Sequence, residues 1–302
     1  MRLGDDVIIP FQVGGGAVRG RIVRLGAAID EILSGHAFPD PVSELLGEAA
    51  ALTALMGASL KFDGRLIFQA QGAGDVRLLV ADYASAGAIR ATASISGAAK
   101  ARGLAALMGK GHLALTIDQG PDMERYQGVT PLEGGTLEEA AIAYFDRSEQ
   151  IPTAVRLAVG RVTRKGEGEA WRAGGVIAQF IPGEGGARER GEAALKSAED
   201  QEAWDRAAAF LNTTRADELL DPELPPEELL YRLYHEDGVR VFEAKAIRAD
   251  CSCNAGKIAA VLSRYSPEEL EGLAVDDGRI KVSCEFCRRD YYFDETGRER
   301  AP

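Results

Sequence analysis

Residues 64–96 read GRLIFQAQGAGDVRLLVADYASAGAIRATASIS and decide the fold class of the first half of the chain. Apolar and polar residues alternate there in three runs, 65–70, 75–82 and 88–94, which glycine-containing turns separate. Alternation with a period of two is typical of strands that bury one face. The stretch therefore predicts an antiparallel meander.

Strand-like and helical patterns are interleaved around this meander. We expect further strands at 112–118, 155–162 and 175–181, and helices at 42–60 and 136–149. Because no regular alternation of strand and helix emerges, the pattern favours an α+β domain over 1–183, with a β-rich core and packed helices, over a parallel α/β sheet.

The middle of the chain, 184–250, differs in charge. It carries 9 basic against 17 acidic residues and so holds most of the net charge of −12. Helical patterning is expected at 191–211 and again after Pro225 and Pro226. Two interpretations stay open, a solvated acidic helical linker and a segment that opens conditionally.

The last stretch, 251–302, predicts a small helix-plus-hairpin unit. Ser266 and Glu269 have the spacing of a capping box, with Pro267 at the first helical position. The same spacing at Thr136 and Glu139 predicts the start of the 136–149 helix. An Asp-Gly turn then precedes a strand at 280–283.

All four cysteines lie in this last unit, as Cys251-Ser-Cys253 and Cys284-Glu-Phe-Cys287. Clustered thiols in a chain expected in a reducing compartment indicate a metal site. Four thiolates at about 2.3 Å complete a closed tetrahedral zinc shell, which favours a non-catalytic metal. The unit is smaller than the ~70–80 residues at which a core alone usually suffices, so zinc is expected to hold it folded.

The spacing leaves two roles open for these thiols. The first is a plain zinc ribbon that holds the tail together. The second is a thiol switch: residues two apart in a strand have α-carbons about 6.6 Å apart, so a bond between Cys251 and Cys253 would be strained and readily reduced.

Motifs of common catalytic sites are absent or broken. The segment 103–111 has one residue too many for a phosphate loop and places Gly111 where Ser or Thr must bind magnesium. Arg19 breaks the dinucleotide fingerprint after Gly14–Gly16, so a flexible hairpin is the better interpretation. The histidines, expected to be structural, are His36, His112 and His235. We therefore expect no enzyme.

Composition narrows the functional classes. With 46% hydrophobic and 27% charged residues the 302-residue chain is typical of folded globular proteins. The net charge of −12 argues against nucleic acid as a partner. The N-terminus shows no secretory signal, and the longest apolar stretch, 49–60, is too short for a membrane span. A cytoplasmic protein without membrane contact is expected.

With the cysteines in view, the chain resembles the redox-regulated thirty-three-kilodalton heat-shock chaperone family, an ATP-independent holdase family. The resemblance covers nearly the whole chain. Besides the CxC and CxxC pairs it rests on PVSELLGE at 41–48, LKFDGRLIFQAQ at 60–71, VRLLVAD at 76–82, YQG at 126–128, SEQIP at 148–152 and HEDGVRVF at 235–242.

The resemblance implies a core domain, a helical linker and a C-terminal zinc switch. It implies that the reduced protein binds one zinc through Cys251, Cys253, Cys284 and Cys287 and is inactive. Oxidation would then form the disulfides Cys251–Cys253 and Cys284–Cys287, expel zinc, and loosen the linker so that apolar surface holds unfolding client proteins. Activation would be accompanied by homodimerisation. The segment 184–224 carries no family signature, so the linker behaviour transfers to it least directly.

Two other functions compete with the chaperone. A zinc-dependent binding or adaptor protein with a purely structural zinc would keep its activity after peroxide treatment. A thiol oxidoreductase using Cys284 and Cys287 would turn over a dithiol substrate, which fits poorly with four cysteines engaged as metal ligands.

Overall fold

The structure is a computed structural model that describes residues 4–59, 63–120, 123–164, 166, 168–181, 198–274 and 278–300. Its contacts divide the chain into two compact units, Met1–Ala249 and Asp250–Pro302. The boundary expected at 183/184 lies outside the described residues, so the three-part division stays a prediction.

The described parts of the two units contain fifteen strands and nine α-helices, together with a 3-10 turn at Gly14–Gly16 and a π-helix at Phe145–Glu149. The strands are β1 Val7–Val13, β2 Val18–Leu25, β3 Arg65–Gly72, β4 Val76–Ala84, β5 Ala88–Ile95, β6 Gly111–Asp118, β7 Tyr126–Pro131, β8 Thr153–Arg164, β9 Gly168–Phe180, β10 Val239–Val241, β11 Lys245–Ala246, β12 Arg248–Ala249, β13 Ile280–Ser283, β14 Asp290–Phe293 and β15 Glu299–Arg300. The helices are α1 Ala27–His36, α2 Asp40–Gly57, α3 Leu104–Met108, α4 Leu137–Tyr144, α5 Ala198–Asn212, α6 Ala216–Leu220, α7 Pro226–Tyr234, α8 Ala255–Leu262 and α9 Pro267–Glu271.

Two sheets build the first unit, which confirms the α+β class. The first sheet has the order β10-β1-β2-β9-β8, with β11 also pairing with β1, and the second has the order β12-β5-β4-β3-β6-β7. The expected meander is β3-β4-β5, with antiparallel pairs such as Phe68 with Ala81 and Ala81 with Ala91. The short β12 pairs in parallel with β5, so chain beyond residue 198 contributes to both sheets.

Helix α2 occupies the centre of the main core. Of its 18 residues 14 are buried, including Leu46, Leu52 and Leu55, because it packs against strands of both sheets. The main core therefore consists of α2 and the facing sides of the two sheets, with buried residues of α1, α3 and α4 packed against them. A helix that is apolar on nearly every side is what such a position requires.

A second apolar cluster covers the outer face of the first sheet. It joins β1, β2, β8 and β9 to the helices α5, α6 and α7, with Leu211, Leu230 and Tyr234 fully buried. Gly174 on β9 is needed for this packing, since a Cβ there would lie 2.5 Å from the carbonyl oxygen of Leu219. The helices after 198 are thus packed against the sheet.

Several local predictions can be compared with the structure. Gly14–Gly16 forms the expected turn, here between β1 and β2, with all three glycines at positive φ. The capping box at Ser266 is present in full. At α4, Thr136 accepts from the Glu139 backbone N–H as expected, but the Glu139 carboxylate accepts from the N–H of Gly135 instead of Thr136. The expected helix 191–211 is α5 from Ala198, and its first residues lie outside the described ranges.

No helix in the described part of the chain is long and apolar enough to cross a membrane.

Candidate metal centre

Two short segments of the second unit carry the four cysteines. Cys251 and Cys253 lie between β12 and α8, and Cys284 and Cys287 lie in the turn between β13 and β14. Asn254 caps α8 by accepting from the backbone N–H of Lys257 at 2.9 Å, which orients the chain directly after Cys253.

The second pair sits in a tight turn closed by its own backbone. The N–H of Arg288 donates to the carbonyl of Cys284 at 2.9 Å, and the N–H of Cys284 donates to the carbonyl of Arg289 at 2.9 Å. Arg288 adopts φ +58°, in the left-handed region that such a reversal requires. The turn holds Cys284 and Cys287 close together, with their Sγ atoms within 4.8 Å of each other.

The structure brings all four predicted ligands together. Their Sγ atoms lie within 4.8 Å of one another. The shortest separations cross between the pairs, 3.7 Å from Cys251 to Cys284 and 3.4 Å from Cys253 to Cys287. Sulfurs at the corners of a tetrahedron with metal–sulfur bonds of about 2.3 Å are about 3.8 Å apart. The cluster thus has the size of a four-thiolate metal site.

The electrostatics of the cluster favour a cation at its centre. Burial raises the pKa of the Cys287 thiol to about 12, opposed by a hydrogen bond from the Arg289 backbone and reinforced by the neighbouring thiols of Cys253 and Cys284. Several thiolates at such separations repel one another unless a divalent ion neutralises them. The donor set, four sulfurs and no carboxylate, suits soft or borderline metals such as zinc.

Tyr291 on β14 is a member of the site that the sequence analysis missed. Its hydroxyl lies 3.2 Å from Cys253 Sγ, and this hydrogen bond is the main reason that the pKa of Tyr291 is raised. Groups that hydrogen-bond to a metal ligand orient it and tune its basicity. No sequence pattern marked this contact, because it depends on which residues of β14 the fold buries, here Tyr291 and Phe293.

The apolar support of the site is small. Five buried residues form the core of the second unit, and Cys253 and Cys284 are packed against it. The five are Leu262, Leu270, Ile280, Tyr291 and Phe293. A core this small is typical of domains that need a metal or disulfides for stability.

Comparison with known proteins agrees with this arrangement. The family model described as "Hsp33 protein" matches residues 6–294. The chain belongs to the Hsp33 family. Hsp33 relatives include the 33 kDa chaperonin of Caulobacter vibrioides, 48% identical over 97% of this chain and 96% of the relative. The 33 kDa chaperonin of Shewanella loihica is 36% identical over 97% and 94% of the two chains.

A solved Hsp33 structure is also similar. The crystal structure of the 33 kDa chaperonin of Thermotoga maritima matches with a TM-score of 0.76 and 26% identity, covering 96% of this chain and 95% of the other. The expected family is therefore confirmed, and with it a chaperone role. A four-cysteine cluster able to hold a metal ion fits the same family.

Proposed function

We propose that this chain is a redox-regulated, ATP-independent holdase. In the reduced state it binds one zinc and is inactive. Oxidation forms the disulfides Cys251–Cys253 and Cys284–Cys287 and releases zinc, and the protein then binds unfolding client proteins and prevents their aggregation. The observation that carries the proposal is the gathering of four thiols, within 4.8 Å of one another, on a unit with a five-residue core.

Cys251, Cys253, Cys284 and Cys287 would hold the zinc, and Tyr291 would orient Cys253. Zinc supplies the divalent charge that keeps the sulfurs deprotonated and together. Structural zinc contributes about 10–16 kcal/mol to the folding of small domains. That contribution is as large as the total stability of a typical domain, about 5–15 kcal/mol. Loss of the metal should therefore unfold the second unit.

The redox step consumes one peroxide per disulfide. One thiolate of a pair attacks a peroxide oxygen, which breaks the O–O bond, releases water after protonation and leaves a sulfenic acid. The second thiolate attacks that sulfur and the sulfenic hydroxyl leaves as a second water. Two thiols and one hydrogen peroxide thus give one disulfide and two waters. Each pair then loses its capacity to bind zinc as two thiolates.

The client-binding surface we propose is the interface between the first sheet and the helices α5–α7. Leu229, Leu230 and Tyr234 of α7 are buried there, and the Tyr234 ring stacks on Phe11 of β1 at 5.7 Å. Parting the helices from the sheet would expose apolar groups on both sides. Apolar patches of this kind are typical binding surfaces for unfolded chains.

Two buried arginines of the first sheet hold α6 on that surface. Arg172 Nε donates to the carbonyl of Leu220 at 2.7 Å, and Arg24 donates to the carbonyls of Glu218, at 3.1 Å, and Asp221. Burial lowers the pKa of Arg24 to about 10, so the group is still charged at neutral pH. Cations at the carbonyl end of a helix stabilise it. These polar contacts would keep the surface covered in the inactive protein.

The test is an aggregation assay with a thermally unfolding protein, run with reduced and peroxide-treated chaperone while zinc release is followed with a chromogenic chelator. We expect no protection by the reduced protein, release of one zinc per chain on oxidation, and protection that rises with release. The variant with all four cysteines replaced by serine cannot hold zinc, so its protection of the client should be the same with and without peroxide. Binding activity that is unchanged by peroxide would instead support an adaptor with a structural zinc.

Three further features belong to the proposal. The chain acts as a chaperone without catalysing a reaction, it works in the cytoplasm, and its oxidised form is a homodimer with neither nucleic acid nor membrane as partner. Sedimentation of the reduced and oxidised protein tests the dimer, which should form only after oxidation. Sustained turnover of a dithiol substrate would contradict the absence of catalysis.

A further inference from the structure

A cavity of about 210 Å³ lies between the two sheets of the first unit. Strands β2 and β9 form one wall and β3 and β6 form the opposite wall. Helix α4 and the π-helix Phe145–Glu149 that continues it close one side. Most of its lining is apolar or aromatic, and the buried part of that lining includes Leu66, Leu115, Tyr144, Phe145 and Ile177. An apolar cavity of about 150 Å³ already holds a benzene molecule. This one has room for a ring and a short polar extension.

One wall of the cavity carries a charge without a counter-charge. Arg21 lies on β2 opposite Ile177 of β9, is half-buried, and forms no ion pair or hydrogen bond within the described ranges. Burial lowers the pKa of its guanidinium, and Tyr83 is the only titratable group found to act on it among the described residues. Burial raises the pKa of Tyr83 above its usual value, so that phenol is neutral at pH 7 and supplies no negative charge.

An uncompensated guanidinium among apolar side chains is costly, because its hydration is lost without an ion pair in return. Three other arginines of the unit form ion pairs: buried Arg172 pairs with Asp5, and half-buried Arg65 and Arg90 pair with Asp82. Arg21 differs in facing a cavity. A carboxylate bound in the cavity would offset the desolvation of Arg21, since guanidinium and carboxylate form two parallel hydrogen bonds.

The mouth of the cavity has the opposite charge. Glu149, which is exposed, lines it, and its carboxylate accepts from the Tyr144 hydroxyl at 3.5 Å. Tyr126, half of whose surface is exposed, also lines it. A second negative charge on a ligand that occupies the cavity would therefore meet the Glu149 carboxylate near the opening.

We propose that this cavity binds a small organic monocarboxylate with an apolar, ring-sized body, its carboxylate on Arg21 and its body against Leu66, Leu115 and Phe145. The volume selects the size of the ligand, Arg21 selects the single negative charge, and Glu149 disfavours a dicarboxylate. This site is separate from the cysteine cluster and from the client-binding surface proposed above, and its occupancy does not depend on the oxidation state.

The test is calorimetric titration of the reduced full-length protein with 3-phenylpropionate, with 3-phenylpropanamide as the uncharged analogue and phenylsuccinate as the dicarboxylate. We expect one site per chain and at least about tenfold weaker binding of the amide, because hydrogen bonds between charged groups are lost. Arg21→Met should remove the preference for the carboxylate. Glu149→Gln should strengthen phenylsuccinate binding relative to 3-phenylpropionate.

The matched control is Arg19→Met. Arg19 lies on the same face of β2, also has no partner for its Nε, and does not line the cavity. This variant should bind 3-phenylpropionate as the wild type does. Equal binding of acid and amide by the wild type, no saturation at millimolar 3-phenylpropionate, or equal losses in the two arginine variants would overturn the proposal. The comparison of acid and amide needs no variant and holds even where a substitution impairs folding.

Discussion

Leu230→Ala is the substitution that bears most directly on how the inactive state keeps its apolar surface covered. Leu230 is fully buried in the cluster between α7 and the first sheet, beside Tyr234. Truncating a buried leucine to alanine costs about 2–5 kcal/mol through lost burial and the cavity left behind. Because Leu230 holds the helices α5–α7 against the sheet, we expect the substitution to lower the free energy of their local opening by this amount. The open state should then be roughly 30-fold to several thousandfold more populated.

The assay is hydrogen exchange of the reduced, zinc-bound protein resolved by peptide, together with aggregation of a test client. Peptides of α5–α7 should exchange faster in Leu230→Ala, and the reduced variant should suppress aggregation in part. The control is Leu46→Ala, an equally buried leucine in the main core. That variant should lose global stability without selective opening of α5–α7. Faster exchange of these helices without any gain in client protection would refute the proposed surface.

Three further predictions concern the metal site and the core. Loss of a group that hydrogen-bonds to a metal ligand weakens metal binding roughly 10–100-fold, and Cys284→Ser, which removes a ligand itself, should weaken zinc binding by more than that. Competition with a chelator measures the affinity, and full zinc retention would contradict the ligand assignment. During a peroxide time course, thiol trapping should find the Cys284–Cys287 disulfide before the one between Cys251 and Cys253, because CxxC closes a less strained ring; the reverse order would contradict this. Burial, with Glu138 and Glu44 nearby, raises the pKa of Glu48 from 4.5 to about 7. A carboxyl group with a raised pKa destabilises the fold once it is ionised, so Glu48→Gln should be more stable than the wild type above pH 7, by at most about 3 kcal/mol. In urea unfolding this difference should vanish near pH 4.5, where Glu48 stays protonated in the folded protein.

Strands that bury one face were easier to predict than those that bury both. Strand β3 alternates between buried and half-buried residues. Residues 79–83 of β4 are all buried, so that strand was predictable mainly from the glycine-containing turns that flank it. In β1, consecutive residues such as Ile8 and Ile9 are both buried, one toward α2 and the other toward α5–α7. The sequence of a strand that is covered on both faces does not alternate between apolar and polar residues. The β1–β2 hairpin was therefore recognisable only by its glycine turn.

The cysteines were predictable for a chemical reason, and their neighbours were not. Four cysteines as CxC and CxxC in an otherwise cysteine-free chain have few roles in a reducing compartment. The contact of Tyr291 with Cys253 depends on the register of β14 against β13, where Tyr291 pairs with Val282. Likewise, the crossed closest sulfur pairs follow from how two distant segments meet. Long-range placement of this kind has no signal in spacing.

The central claim is that oxidation releases stability held in the four-cysteine site and thereby uncovers the client-binding surface. The most direct measurement is hydrogen exchange across the whole chain during peroxide treatment, with zinc release and client protection followed on the same sample. We predict that residues 184–302 lose protection in step with zinc release and with the onset of client protection, while 1–183 keep theirs. Client protection that begins while 184–302 remain fully protected from exchange would contradict the claim.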